Sequence, residues 1–319
     1  MDVKEYAKKI LEKGVSEGVN DFYLLPRNRG YQLFFRKINK MELIDNLETK
    51  FGEMLIVHFK YRGGMSVGER RRAQLGAFSE IIHQKERRFR LSTVGDFKQQ
   101  ESLVLRFLHV LGEKKCEYFF PEQFERLIKM TRTRGLFLFC GPVGSGKTTT
   151  LYELCKERHF GNQIIAIEDP VEVVSENILQ LQVNESIGSD YDSLIKLCLR
   201  HRPDILVVGE IRDEKTARAV VRATLTGHTV FSTLHARNIQ GVYQRLLELG
   251  VSEGELRECL EGIIYQRIFA SSDRTPAALF DIALRGRDWS EQSQWKENIE
   301  FLFKHGCISE ETYHEEKNV

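Results

Sequence analysis

The chain has 319 residues, 41% hydrophobic and 29% charged, which suggests about two domains around ordinary globular cores. Lys and Arg (47) nearly cancel Asp and Glu (46), so bulk charge gives no reason to expect a nucleic-acid partner. No apolar run approaches the roughly 18 residues of a membrane helix, and the polar start Met-Asp-Val-Lys-Glu-Tyr lacks a signal-peptide core. The expectation is a cytoplasmic protein that meets a membrane only through a partner. Cys116, Cys140, Cys155, Cys198, Cys259 and Cys307 form no C-x-x-C pair, so reduced thiols and no zinc are expected.

Residues 1–18 place Val3, Tyr6, Ala7, Ile10, Leu11 and Val15 at helical spacing between lysines and glutamates, which predicts an amphipathic helix. Phe22–Leu25, Tyr31–Phe35, Met54–Phe59 and Phe89–Val94 read as strands, with loops and one helix among them. Residues 1–110 are therefore expected to form a small α+β domain. Within it, Glu69 to Arg90 carries Arg70, Arg71, Arg72, Lys85, Arg87, Arg88 and Arg90 against Glu69, Glu80 and Glu86. The stretch reads either as a solvated face or as a basic patch for nucleic acid, with Phe78 and Phe89 the available stacking rings. Around Leu111-Gly-Glu-Lys-Lys-Cys116 the pattern loosens into charge, which predicts an interdomain linker over 111–120. A helix over 121–133 follows.

From Leu136 the chain reads Leu-Phe-Leu-Phe-Cys-Gly-Pro-Val-Gly-Ser-Gly-Lys-Thr-Thr-Thr: a buried strand, a glycine-rich loop, then a helix. Gly141 and Gly146 bracket the loop, with Gly144 and Ser145 inside it and Lys147, Thr148 and Thr149 directly after, so it matches a Walker A loop. Glycines let successive N–H groups turn toward a phosphate, and the helix N-terminus adds positive potential. Lys147 can bridge the β- and γ-phosphates of a nucleotide, and the Thr148 hydroxyl can ligate Mg²⁺.

Leu136–Phe139, Ile164–Ile167, Ile205–Val208 and Thr229–Thr233 are apolar strand candidates alternating with helical stretches. This predicts a mostly parallel sheet with helices on both faces and the ligand at the strands' carboxyl ends. There, Glu168-Asp169-Pro170 offers a carboxylate that could deprotonate water, or else a merely exposed acidic turn. Glu210, in Gly-Glu-Ile-Arg212-Asp213, can hold the Mg²⁺ shell opposite Thr148. His228 and His235 bracket the fourth strand and read either as structural histidines or, for His235, as a partner of the γ-phosphate or of a carboxylate. Beyond, 242–249 and 255–269 read as helices and Ala278–Leu284 as a strand. Residues 286–319 are strongly charged around Trp289, Trp295, Ile299, Leu302 and Phe303. They read as a helix packed on the domain itself or as a docking element.

Four segments in order carry a family likeness. They are the Walker A loop, the aspartate box Ile167-Glu-Asp-Pro-Val-Glu172, the region Leu199-Arg-His-Arg-Pro-Asp-Ile-Leu-Val-Val-Gly-Glu-Ile-Arg-Asp213, and the histidine box Leu225-Thr-Gly-His-Thr-Val-Phe-Ser-Thr-Leu-His-Ala-Arg-Asn238. Over roughly residues 85–285 the chain resembles the secretion and pilus traffic ATPases, which power type II secretion, type IV pilus assembly and related machines. The resemblance implies a RecA-like P-loop domain over 121–285, a smaller PAS-like α+β domain before it, and a helical tail over 286–319. It implies ATP and Mg²⁺ as cofactors, with Glu168 as general base, Glu210 as the Walker B glutamate, and His228 and His235 as the histidine-box pair. Phe89-Arg-Leu-Ser-Thr and Glu101-Ser-Leu-Val-Leu-Arg106 look like the family's arginine-bearing strands, which implies that Arg90 and Arg106 approach the phosphates. A homo-oligomeric ring, a hexamer, is implied, working on an inner-membrane platform protein and pseudopilin machinery without binding nucleic acid directly. The chain lacks the tetracysteine zinc element and the long N-terminal region of larger members, and Ala-Arg-Asn after His235 fits retraction motors poorly. The likeness is nearest to the competence branch, which drives a pseudopilus for DNA uptake. Pilus retraction, type II secretion, direct DNA translocation and a nucleotide-switched adapter are the alternatives.

Overall fold

A computed structural model describes the chain except residues 1, 28–29, 38–39, 111–116, 159, 273–274, 287–288 and 318–319. It divides into two compact units, Met1–Val110 and Leu111–Val319. Most of the linker expected over 111–120, Cys116 included, lies outside the described residues. Glu117–Tyr118 already forms a short strand of the second unit.

In the first unit α1 (Val3–Ser16) precedes β1 (Asp21–Arg27), β2 (Gly30–Lys37) and β3 (Lys40–Glu48). Next come α2 (Thr49–Arg62), β4 (Gln74–Ile82), β5 (Lys85–Gly95) and β6 (Glu101–Phe107). The strands form an antiparallel sheet in the order β3-β2-β1-β6-β5-β4. Alternation explains its one-sided core: Tyr31, Leu33 and Phe35 of β2 are buried and their neighbours are not. Those side chains meet Ile10 and Leu11 of α1 and Leu55, Ile56 and Phe59 of α2.

Met54–Phe59, expected as a strand, lies inside α2. Its buried positions, Leu55, Ile56 and Phe59, follow the helical period, while Met54 faces out. Six mostly apolar residues fit either period, and only the neighbours decide. Strands β3 and β4 escaped the sequence reading because β3 buries no side chain and β4 only Phe78 and Ile82.

The second unit runs β7 (Glu117–Tyr118), α3 (Pro121–Met130), β8 (Gly135–Cys140), α4 (Lys147–Arg158), β9 (Ile164–Glu168), β10 (Leu179–Gln182) and α5 (Tyr191–Arg200). It continues through β11 (Ile205–Val208), α6 (Glu214–Leu225), β12 (Thr229–Leu234), α7 (Ile239–Glu248) and α8 (Glu253–Cys259). The last elements are β13 (Leu260–Ala270), β14 (Pro276–Leu284), α9 (Trp295–Lys304) and α10 (Glu310–Glu316). The strands build one sheet in the order β10-β9-β11-β12-β8-β13-β14-β7, parallel except for the β13–β14 pair. Leu136, Leu138, Ile165 and Leu206 pack on one face with α6 and α7, and Phe137, Phe139 and Ala166 on the other with α3 and α4. Burial on both faces is why these strands read as continuous apolar runs.

The helix expected over 255–269 ends at Cys259, and Leu260–Ala270 is strand β13 beside β8. Its Ile263, Ile264 and Tyr265 are buried on opposite faces, so the period-2 signal vanishes and the run mimics a buried helix. The tail packs on its own unit: Trp295, Ile299 and Leu302 join the core, and the Trp295 ring meets Tyr265 edge-on at 5.0 Å. Trp295 Nε1 donates to the Glu316 carbonyl at 3.0 Å, and Arg267 pairs with the Glu316 carboxylate.

Candidate active site

The loop between β8 and α4 turns on three glycines at positive φ: Gly141 at 141°, Gly144 at 82° and Gly146 at 78°. A Cβ at Gly141 would stand 2.3 Å from the main-chain oxygen of Gln266, and one at Gly146 2.7 Å from Ile268 Cδ1. Strand β13 thus backs the loop so closely that two of its glycines admit no side chain. Residues entering and leaving the left-handed region in succession form the concave main-chain geometry that accepts anions. Helix α4 opens at Lys147, with its unpaired first-turn N–H groups at the same place.

Lys147 is buried, and its Nζ donates to the carbonyls of Gly141 and Pro142, both at 2.9 Å. Burial lowers its pKa, with Glu210 and Glu172 acting in the opposite direction. An ammonium held by two neutral carbonyls lacks an ionic partner in hydrogen-bond contact, and a phosphate would supply one. Ser145 Oγ, Thr150 Oγ1 and both ends of the Gln266 carboxamide are buried around the loop without a hydrogen-bond partner. Buried polar atoms are nearly always paired, so this concentration of orphans fits a polyanionic ligand and its water. Thr148 and Thr149 are half-buried in the first turn of α4.

Magnesium is the second group to test. Among the described residues no cluster of three or more His, Cys, Asp or Glu could hold a metal. A nucleotide-bound Mg²⁺ does not need one, since one or two protein oxygens complete a shell of phosphates and water. The Thr148 hydroxyl and Glu210 carboxylate are hard oxygen donors of that kind.

Glu168 ends β9 and is only 4% exposed. The exposed acidic turn describes Asp169 instead. Tyr152 Oη, on α4, donates to Glu168 Oε1, and Gln180 Nε2, on β10, donates to the same oxygen at 3.0 Å. Burial raises the Glu168 pKa, opposed by these hydrogen bonds. Beyond it, Glu210 Oε1 accepts from His235 Nε2 at 2.8 Å and Oε2 from Arg212 Nε. Arg212 Nη1 also lies 3.4 Å from Asp169 Oδ2. The ends of β9, β11 and β12 thus carry three carboxylates, an arginine and a histidine.

His228 stands at the opposite end of β12, seven positions from His235 and so about 20 Å away along an extended strand. Its Nδ1 lies 3.1 Å from Thr226 Oγ1 and 3.2 Å from the Ala223 carbonyl oxygen. The two histidines of the motif thus stand at opposite ends of the strand, as their bracketing of it implied, and His228 caps the turn after α6. In the first unit Arg90 and Arg106 are direct register partners on β5 and β6, and Arg106 Nε donates to Asp21 Oδ1 at 2.8 Å. Sequence reasoning missed Tyr152, Gln180, Gln266 and Arg212. Arg212 stood inside the segment quoted with Glu210 but was given no role, and Tyr152 lies one helical turn beyond Thr148.

The family described as "Type II/IV secretion system protein" matches residues 2–311. The chain is 47% identical over 307 residues to competence protein ComGA of Streptococcus pneumoniae, covering 96% of each chain. It is 35% identical over 271 residues to competence protein ComGA of Bacillus subtilis, covering 83% of this chain and 76% of that one. Its fold resembles the Legionella pneumophila ATPase DotB with a TM-score of 0.77 at 18% identity, over 97% of this chain and 94% of that one. With its phosphate loop and strand-end carboxylates in place, the chain belongs to the type II/IV secretion system protein family, the secretion and pilus traffic ATPases.

Proposed function

We propose that the chain is a Mg²⁺-dependent ATPase motor that powers assembly of a competence pseudopilus for DNA uptake. One observation carries the hydrolytic part: the helix that opens at Lys147 also reaches, through Tyr152, the carboxylate of Glu168. A phosphate-binding cation and a buried base are thereby tied to one rigid element. Lys147 leaves the Gly141 and Pro142 carbonyls for the β- and γ-phosphates, and the Gly144–Gly146 main chain closes around them. Thr148 and Glu210 would hold Mg²⁺, which would neutralise charge on the phosphates. Glu168 orients water and takes its proton.

The competence role rests on the likeness to the two competence proteins across most of this chain. The working form is a hexameric ring at the inner face of the cell membrane, passing its motion to a platform protein. Lys147→Ala should remove ATP binding and turnover together. Glu168→Gln should stop steady-state hydrolysis, by about a hundredfold or more, while ATP still binds. Phosphate release and calorimetry on the purified variants read both quantities. Normal turnover in Glu168→Gln would overturn the assignment of the base.

A further inference from the structure

Glu168 does not stand alone. Tyr152 comes from α4, which follows the phosphate loop, and Gln180 from β10, the edge strand beside β9, where it is the register partner of Ala166. Gln180 is fixed at both ends. Its Oε1 accepts from the Ser175 main-chain N–H at 3.0 Å, and its Nε2 reaches the Val173 carbonyl at 2.7 Å, Tyr152 Oη at 2.8 Å and Glu168 Oε1 at 3.0 Å. The Gln180 amide shares its two hydrogens among these three acceptors, and the Tyr152 hydroxyl donates to Glu168.

We propose that Tyr152 and Gln180 are positioning residues for Glu168, holding one carboxylate oxygen between the phosphate-loop helix and the edge strand so that the other oxygen meets the attacking water. The lone-pair inventory supports this. Of the roughly four acceptor positions of the carboxylate, Tyr152, Gln180 and the Glu172 main-chain N–H reach three, which leaves room for one water. The tyrosine ring is fully buried in the core beneath α4, where phenylalanine would pack equally well. Its hydroxyl meets the Glu168 carboxylate and the Gln180 amide. Burial and the neighbouring Glu168 charge raise the hydroxyl pKa, so it remains a donor throughout the working range. The link is mechanical as well as chemical: displacement of α4 by nucleotide would move the base with it.

The proposal rests on the reading of Glu168 as the general base, and the experiment separates the two. Wild type, Tyr152→Phe, Gln180→Leu and Glu168→Gln are compared in steady-state ATP hydrolysis, with ATP affinity measured by calorimetry. Tyr152→Phe and Gln180→Leu should each lower kcat about tenfold, with KM and ATP affinity within twofold of wild type, because the carboxylate loses its orientation while the loop stays intact. Wild-type kcat in both variants would overturn the proposal. So would a fall in kcat matched by an equal loss of ATP affinity, which would mark simple damage to α4. Should Tyr152→Phe fail to fold, Gln180→Leu, on a different element, decides. Normal turnover in Glu168→Gln would instead remove the underlying reading, whatever the other variants do.

Discussion

At the scale of single residues, burial sorts two neighbouring acids into different chemistry. Glu168 and Asp169 are adjacent in sequence, yet Glu168 is enclosed by Tyr152 and Gln180 while Asp169 faces solvent and meets Arg212. Burial raises the pKa of Glu168, and Glu172 adds a like charge. Tyr152 and Cys155 of α4, and Tyr191 at the start of α5, are the other titratable groups around it. A base works only when ionised, so turnover should be lost as pH falls through the pKa of the folded enzyme. That acidic limb should lie above the ordinary carboxylate value of about 4.3. A pH profile of kcat measures it, and a limb at or below that value would contradict the burial argument.

At the scale of elements, the charged tail follows the first of its two sequence readings, a helix packed on its own unit. Its sparse apolar residues were compatible with a docking helix, but Trp295, Ile299 and Leu302 of α9 complete the core of the second unit. Asp281 of β14 anchors the approach by accepting from Ser293 Oγ at 2.6 Å and from the Gln294 N–H at 2.9 Å. Arg267 on β13 holds Glu316 of α10 at the far end. Trp295→Ala should therefore cost about 3–5 kcal/mol of stability, visible as a large fall in Tm by calorimetry. A surface docking helix would lose under about 0.5 kcal/mol. On the same scale, Met54–Phe59 and Leu260–Ala270 show how apolar runs mislead when no neighbour is known.

At the scale of the whole molecule, each unit has its own sheet and its own core. Residues 1–110 expressed alone should melt cooperatively, since Phe22, Phe35, Phe59 and Phe89 are buried among residues of that unit. A non-cooperative melt would show that the first core depends on the second unit. The near-zero net charge argues against a DNA track. ATP hydrolysis should be indifferent to added duplex DNA; stimulation with a steep salt dependence would favour direct translocation.

The sequence alone determined the phosphate loop, four of the buried parallel strands in their order along the chain, and the acids at the ends of two of them. Each is a local pattern, because glycine spacing and uninterrupted apolar runs act on the backbone within a few residues. The strand order across the sheet and the surroundings of each side chain were decided only in three dimensions. Tyr152 and Gln180 are 28 residues apart and meet because β10 lies beside β9 while Tyr152 of α4 packs in the same core as Ala166 of β9. Whether a carboxylate is a solvated charge or a buried base depends on what packs over it, and no local window of residues contains that information.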